Sequence, residues 1–299
     1  MSGEGRGQLV LVATPIGNLG DLSPRAREVL ATADLICCED TRRTRALLSA
    51  VGVAAGGPGG DRLLSLHGHN EAGRLDRVAA AVAGGATVAV VSDAGTPGIS
   101  DPGAWLAAQL AAAGERVSTV PGPSSVVGAL VVSGLPADRF GVEGFLPRKG
   151  SERRRRIATL MGDERTSVVL EAPGRVAGTL SDLSAADPDR RVAVVRELTK
   201  LHEEVWRGTL GDAAEAFAAR QLRGEVVLVV GGAPAPEPAG DEEIEAAVRA
   251  VVADDPSAGP RQVAERAAAS LGVPRRRVYE AALRVRAAAG NEAGSSGRA

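Results

Sequence analysis

The chain has 299 residues, a formal net charge of −2 and 44% hydrophobic residues, enough for two packed domains and a small third. Aromatic residues are only 2%, which excludes a broad stacking platform for nucleic-acid bases, and no apolar run reaches the roughly 18 residues of a membrane helix. Cys37 and Cys38 are adjacent and have no third partner, which argues against a disulfide or zinc site and for a reducing compartment. MSGEGRGQ lacks the apolar core of a signal peptide, so a cytoplasmic protein is expected.

Strand and helix signals alternate from the start. Residues 1–8 carry no pattern and are expected to be disordered. Residues 9–13 form an apolar run that ends in TPIGNLGDLSP, with Ser23 and Pro24 placed as N-cap and first residue of a helix. Residues 35–38 predict a second strand, ending in the charged cluster Glu39, Asp40, Thr41, Arg42 and Arg43. Residues 53–62 are Gly-rich and read as a mobile loop. A strand at 63–66 leads into HGHNE and a helix. His67 and His69 have no further ligands at metal spacing, so no metal site is expected.

The stretch VAVVSDAGTPGISDPG, residues 88–103, organises the rest. A short β-branched run breaks into a loop holding Gly95, Pro97, Gly98, Pro102 and Gly103, interleaved with small polar residues, before a helix at 104–113. A plain strand-to-helix connection needs about two to six residues, so this loop is longer than connection requires. It leaves a parallel sheet at its carboxyl end, where open α/β sheets bind ligands. A strand at 117–120 is followed by PGPSSVVGAL, a second Gly/Pro/Ser loop opening a helix whose free amides suit a polar ligand.

A second α/β unit follows, with strands expected at 140–146, 168–170, 191–195, 205–210 and 226–230 and mixed directions. PRKGSERRRR, residues 147–156, carries six basic residues against Glu152. Residues 231–241 are linker-like in composition, helices are expected at 242–253, 260–271 and 274–289, and residues 290–299 are expected to be disordered. The domain boundaries read as 9–120, 121–232, a linker at 233–241, and a helical module at 242–289.

Seven motifs occur together and in order: ATPIGNLGDLS (13–23), CEDTRRT (38–44), LHGHNE (66–71), VSDAGTPGISDPG (91–103), VPGPSS (120–125), EGFLPRKG (143–150) and RELTK (196–200). The set closely resembles the bacterial ribosomal RNA small subunit methyltransferase I family, within the tetrapyrrole methylase superfamily. The resemblance implies two α/β domains with S-adenosylmethionine in the cleft between them, a homodimer, and methylation of the ribose 2′-oxygen of a cytidine in the decoding region of 16S rRNA in the small ribosomal subunit. Relatives often carry an aromatic residue and a histidine where this chain has Leu170 and Gly174, which changes one wall of the expected pocket.

On that resemblance, Pro15, Gly95, Thr96, Ile99, Ser124, Ser125, Glu171 and Ala172 are assigned to the donor pocket. Methyl transfer to a hydroxyl needs a proton acceptor. Asp40, Asp93 and Glu197 are candidates, each near a strand's carboxyl end, with Arg42 or Lys200 orienting phosphate or carboxylate. The competing assignment for each is a local salt bridge. Arg148, Lys149, Arg153 and Arg154 are expected to contact RNA. Methylation of a tetrapyrrole carbon, or ligand-sensing nucleic-acid binding without turnover, are the alternatives.

The C-terminal helices read as a helix-turn-helix module for RNA. Val263, Ala264, Ala267, Ala268 and Leu271 share a face, Gly272 and Val273 turn the chain, and Val278, Ala281, Ala282 and Val285 form a facing stripe. Between residues 258 and 289 seven arginines face two acids. Arg275, Arg276 and Arg277 crowd a helix start, where the dipole disfavours cations, so phosphate binding is the expected reason for them.

Overall fold

The computed structural model describes residues 7–57, 60–234 and 239–295, with side chains described as far as Val285. The expectations for residues 1–6, 58–59, 235–238 and 296–299 therefore lie outside the described residues, while Gln8, expected to be disordered, opens the first strand. The chain divides into two compact units, Met1–Ala233 and Pro234–Ala299.

The first unit opens with a five-stranded sheet built from β1 (Gln8–Val12), β2 (Leu35–Cys38), β5 (Leu63–Ser65), β6 (Thr87–Val91) and β7 (Arg116–Val120), in the order β5-β2-β6-β1-β7. Every pairing in it is parallel. Both faces are covered, which is why these strands are unbroken apolar runs and not alternating ones. Val10, Val12, Ile36, Cys38 and Ala89 pack against Ala26 and Leu30 of α1 (Pro24–Thr32) and Leu48 of α2 (Thr41–Ala50). Leu9, Cys37, Val88 and Val90 pack against Val78 and Val82 of α3 (Glu71–Ala83) and Leu106 and Leu110 of α4 (Ala104–Ala112). Each such leucine, fully buried, contributes about 1.5–3 kcal/mol. Ser23 caps α1 through its hydroxyl, with Pro24 at the first helical position.

The chain leaves β1 toward β2 on one side and β6 toward β7 on the other. The loops after the adjacent strands β1 and β6 therefore leave for opposite faces of the sheet, toward α1 and α4, forming the crevice where open sheets take ligands. The Gly-rich stretch expected as a mobile loop contains a small antiparallel pair, β3 (Gly56–Gly57) with β4 (Gly60–Asp61).

The second sheet, in the order β11-β10-β12-β9-β8, is mixed. It comprises β8 (Phe140–Phe145), β9 (Thr166–Glu171), β10 (Arg191–Arg196), β11 (Glu204–Thr209) and β12 (Val226–Val230). β8 and β9 are parallel, while β12 runs antiparallel to β9 and to β10. One face packs on α5 (Ser125–Ser133) through Val126, Ala129 and Leu130. The other packs on α6 (Gly150–Gly162), α7 (Val176–Ser184) and α8 (Leu210–Phe217), with Phe217 buried edge-to-face against Trp206.

In the second unit α9 (Asp241–Asp254), α10 (Pro260–Leu271) and α11 (Arg275–Ser295) share one core of Ile244, Val248, Val263, Ala264, Ala267, Ala268, Val278, Ala281 and Ala282. Gly272 ends α10 at φ +64, a conformation that suits glycine. Helix α11 runs on to Ser295, beyond the end expected at residue 289 and into the stretch expected to be disordered.

Candidate active site

Four loops meet at the carboxyl edge of the first sheet, and specific bonds lock them. Thr14 and Gly95 exchange backbone bonds, Thr14 N–H to Gly95 O at 2.9 Å and Gly95 N–H to Thr14 O at 3.0 Å. Gly95 sits at φ +84, and a Cβ there would press on Ile16. Its backbone is thus spent on joining the β1 and β6 loops. Thr96 donates its hydroxyl to Pro123 O at 3.0 Å, tying the β6 loop to the one opening α5. Ser124 uses its hydroxyl to cap α5. Glu71, from LHGHNE, accepts the N–H groups of Gly103 and Leu106, both at 3.0 Å.

Between these loops and the second sheet lies a cavity of about 450 Å³. The β6 loop supplies its floor through Asp93, Gly95, Thr96, Ile99 and Asp101. Ser124 and Ser125 come from the start of α5. Phe145, Leu170, Glu171 and Ala172 come from the ends of β8 and β9, and residues 224–227 from the start of β12. The last group arises because β12 is antiparallel to β9, which places its first residues beside Glu171. Of the residues assigned to a donor pocket, all but Pro15 line this cavity; its neighbour Ile16 lines it instead.

Among the lining residues that sequence reasoning missed are Ile16, Glu39, Arg43, Asp101, Val126, Phe145 and residues 224–227. Glu39, Arg43 and Asp101 lie inside the motifs already singled out, so the signal was there. Nothing in residues 224–227 marks them, since their placement depends on strand direction.

The candidate proton acceptors are placed very differently. Asp40 caps α2 and binds Arg42 twice, Arg42 Nε at 3.2 Å and Nη2 at 2.9 Å. The Arg42 hydrogen bonds hold its carboxyl down at about 2, and it is not in the cavity wall. Asp93 lines the cavity but accepts Asp40 N–H at 3.1 Å and pairs with Arg43 at 3.3 Å. Glu197 accepts Glu225 N–H at 3.0 Å and Lys200 Nζ at 2.9 Å, which lower its pKa, and it too lies outside the lining.

Lys200 reaches Glu225 as well, at 3.3 Å. A Cβ on Gly17 would collide with Lys200 Cγ, so RELTK lies directly over the β1 loop. Glu197 and Thr199 take positive φ values of 52 and 65 to make that turn, a conformation non-glycine residues rarely adopt.

Glu171 borders the cavity, yet its carboxylate is fully buried and turned into the second sheet's core. It accepts Thr179 Oγ1 at 2.6 Å and Ala172 N–H at 2.9 Å, and pairs with Arg175 at 3.2 Å. Arg153 extends this network. It donates to Thr179 at 3.0 Å, to Pro147 O at 3.0 Å and to Asp182 at 2.8 Å. The expectation that Arg153 contacts RNA is corrected: it is only 9% exposed, and its guanidinium donors are spent on these internal acceptors. Arg148, Lys149 and Arg154 are exposed and form no ion pair among the described residues.

The three arginines opening α11 also have acidic partners. Arg275 pairs with Glu265 at 2.9 Å, Arg276 with Glu280 at 3.4 Å and Arg277 with Asp241 at 2.8 Å. Intramolecular acids, one of them on α9, therefore offset much of the positive charge that the sequence of this stretch suggested.

Residues 8–214 match the family model described as Tetrapyrrole (Corrin/Porphyrin) Methylases. The chain is 45% identical over 276 residues to a Xylella fastidiosa protein named ribosomal RNA small subunit methyltransferase I, covering 91% of this chain and 98% of that one. A Mycobacterium tuberculosis protein of the same name is 45% identical over 291 residues, covering 96% and 98%. Among solved structures, uroporphyrin-III-C-methyltransferase from Thermus thermophilus is similar at a TM-score of 0.53 with 25% identity, over 76% of this chain and 94% of that one. A cobalt precorrin-4 methyltransferase shares the fold at a TM-score of 0.55 and 17% identity, over 77% and 97%. The chain belongs to the ribosomal RNA small subunit methyltransferase I family, a branch of the tetrapyrrole methylases.

Proposed function

We propose that this protein uses S-adenosylmethionine to methylate the ribose 2′-oxygen of a cytidine in the decoding region of 16S rRNA, acting on the small ribosomal subunit. The observation that carries the reading is the character of the cavity. Its apolar wall of Ile16, Ile99, Val126, Phe145 and Leu170 faces four carboxylates, Glu39, Asp93, Asp101 and Glu225, against one guanidinium, Arg43. Such a lining suits a ligand with a flat apolar portion and positive charge, and disfavours a polyphosphate.

Bound S-adenosylmethionine supplies a methyl carbon activated by the attached positive sulfur. Thr96, Ile99, Ser125 and Ala172 hold the donor, Gly95 fixes the loop that presents them, and Ser124 contributes through the helix it starts. Glu171 shapes this wall from behind, and Glu197 with Lys200 clamps the β1 loop. Much of the catalysis is the alignment of oxygen, carbon and sulfur, which rigid loops provide. Arg42, exposed beside the cavity, together with Arg148, Lys149 and Arg154, contacts RNA phosphates. Exposed Val127 and Val131, one turn apart on α5, support a homodimer within this reading.

The test is methyl incorporation into small subunits from a strain lacking this activity, followed by mass mapping of ribose methylation. Methylation at a cytidine ribose of the decoding region is expected. Incorporation into a porphyrinogen, with none into subunits, would replace this reading by tetrapyrrole C-methylation.

A further inference from the structure

We propose that Asp101 is the proton acceptor for the attacking hydroxyl, an assignment that rests on the methyltransferase reading above and names the group that reading leaves open. Asp101 lines the cavity on the same loop as Thr96 and Ile99. Its position is fixed from both sides. Ser100 before it is held at φ +63, and Gly103 after it, at φ +114, is anchored by its N–H on Glu71.

Four other acids in or near the cavity are committed elsewhere. Asp40 is bound by Arg42, Asp93 by Arg43 and the Asp40 amide, Glu197 by Lys200, and Glu225 by Lys200. A carboxylate that already neutralises a cation is a weak base. Glu39, which like Asp101 has no ion pair among the described residues, has its pKa raised in the same direction by partial burial and by Asp93, but it is exposed to solvent where Asp101 is half-buried. Asp101 is half-buried and lies near Ser92, whose hydroxyl is spent on Ala94 O and Gly95 O, and near the like charges of Glu39, Asp93 and Glu225; Arg43 lines the same cavity.

Burial first, then repulsion from Glu39, pushes its pKa up to about 6, against the smaller opposing effect of Ser92. A general base works best with a pKa near the operating pH. As the oxygen–carbon bond forms, the carbon–sulfur bond breaks and its electron pair neutralises the sulfur. The hydroxyl proton passes to an Asp101 carboxylate oxygen and is released to solvent between turnovers.

The experiment measures single-turnover methylation of small subunits at saturating donor between pH 5 and pH 8, with calorimetric affinity for S-adenosylhomocysteine. For the wild type the rate should rise with pH to an inflection near 6. Asp101→Asn should be about 100-fold slower, lose the inflection and keep its affinity within about threefold. A D101N rate within about threefold of wild type, an inflection that survives, or an affinity loss as large as the rate loss would overturn the assignment. If D101N does not fold, Asp101→Glu decides: a displaced inflection supports the role, and an unmoved one overturns it. Wild-type protein that leaves subunits unmethylated overturns the parent reading and this assignment together, whereas an active wild type with an equally active D101N overturns the assignment alone.

Discussion

Glu71 is the N-terminal brace of α4: its Oε1 accepts Gly103 N–H at 3.0 Å across 32 positions of sequence and Leu106 N–H at the same distance. Gly103 occupies the N-cap position, where it has no side chain to satisfy the helix amides, so the carboxylate of a distant motif takes over. Glu71 is 8% exposed, which makes those two amides costly to leave unpaired.

Glu71→Ala should therefore destabilise the protein by about 2–4 kcal/mol, from two orphaned amides at roughly 1–2 each. Because the anchored segment ends the loop bearing Thr96, Ile99 and Asp101, affinity for S-adenosylhomocysteine should fall at temperatures where the variant is fully folded. Glu71→Gln, which keeps one acceptor oxygen, should recover most of both. Chemical denaturation and calorimetry on the two variants check this, and an alanine variant of normal affinity would limit Glu71 to the helix end.

Asp101 gives a stability prediction independent of turnover. Its pKa rises on folding from 3.8 to about 6, so the folded state disfavours its ionised form. Below the unfolded value both states hold the proton and the group contributes nothing. As pH rises through that window the wild type loses stability relative to Asp101→Asn, and above it the difference is constant. Melting temperatures of the two proteins should coincide near pH 4 and separate by pH 7, with the amide variant higher. Parallel melting curves across the whole range would mean that Asp101 feels no such environment.

Much of this arrangement was legible in the sequence because parallel strands announce their sites. Runs such as residues 88–91 end at the sheet's carboxyl edge, and the glycines, prolines and small polar residues after them mark loops built for more than connection. What sequence could not give was partnership. Asp40 reads as a proton acceptor and Arg42 as a group orienting phosphate, with a local salt bridge as the undecided alternative, and folded they satisfy each other. Gly95 reads as room for a ligand, yet its amide and carbonyl belong to Thr14. Residues 224–227 enter the wall only because β12 reverses direction, and mixed sheets carry no local signal for which strand reverses.

Arg153 illustrates the same gap within a basic run, and it separates from its neighbours by experiment. Arg153→Ala removes donors from Thr179, Asp182 and Pro147 O at a buried site and should cost about 2–3 kcal/mol, lowering the melting temperature. Its effect on subunit binding should not depend on salt. Alanine at the exposed Arg148, Lys149 and Arg154 should leave melting nearly unchanged and flatten the dependence of subunit affinity on salt, because fewer counterions are released. Binding measured over a salt series with both variants distinguishes a structural arginine from phosphate-binding ones. A flattened slope for Arg153→Ala alone would reverse the assignment.

The arginines at the start of α11 pose the remaining question, since each has an acidic partner on its own unit. Their guanidinium side chains are 74%, 93% and 41% exposed for Arg275, Arg276 and Arg277. Exposed pairs of this kind are worth about 0–1 kcal/mol each, so an RNA phosphate can displace Glu265, Glu280 or Asp241 at little cost. The helix core of Val263, Ala267, Val278 and Ala281 does not depend on them. Replacing all three arginines by alanine should therefore leave the melting temperature and donor affinity close to wild type. Subunit affinity should fall, and the slope of log affinity against log salt should flatten by roughly 0.7–0.9 for each phosphate that the variant no longer neutralises. Equal affinity and equal slope for the triple variant would mean that these arginines serve only their intramolecular partners, and that the RNA is held elsewhere.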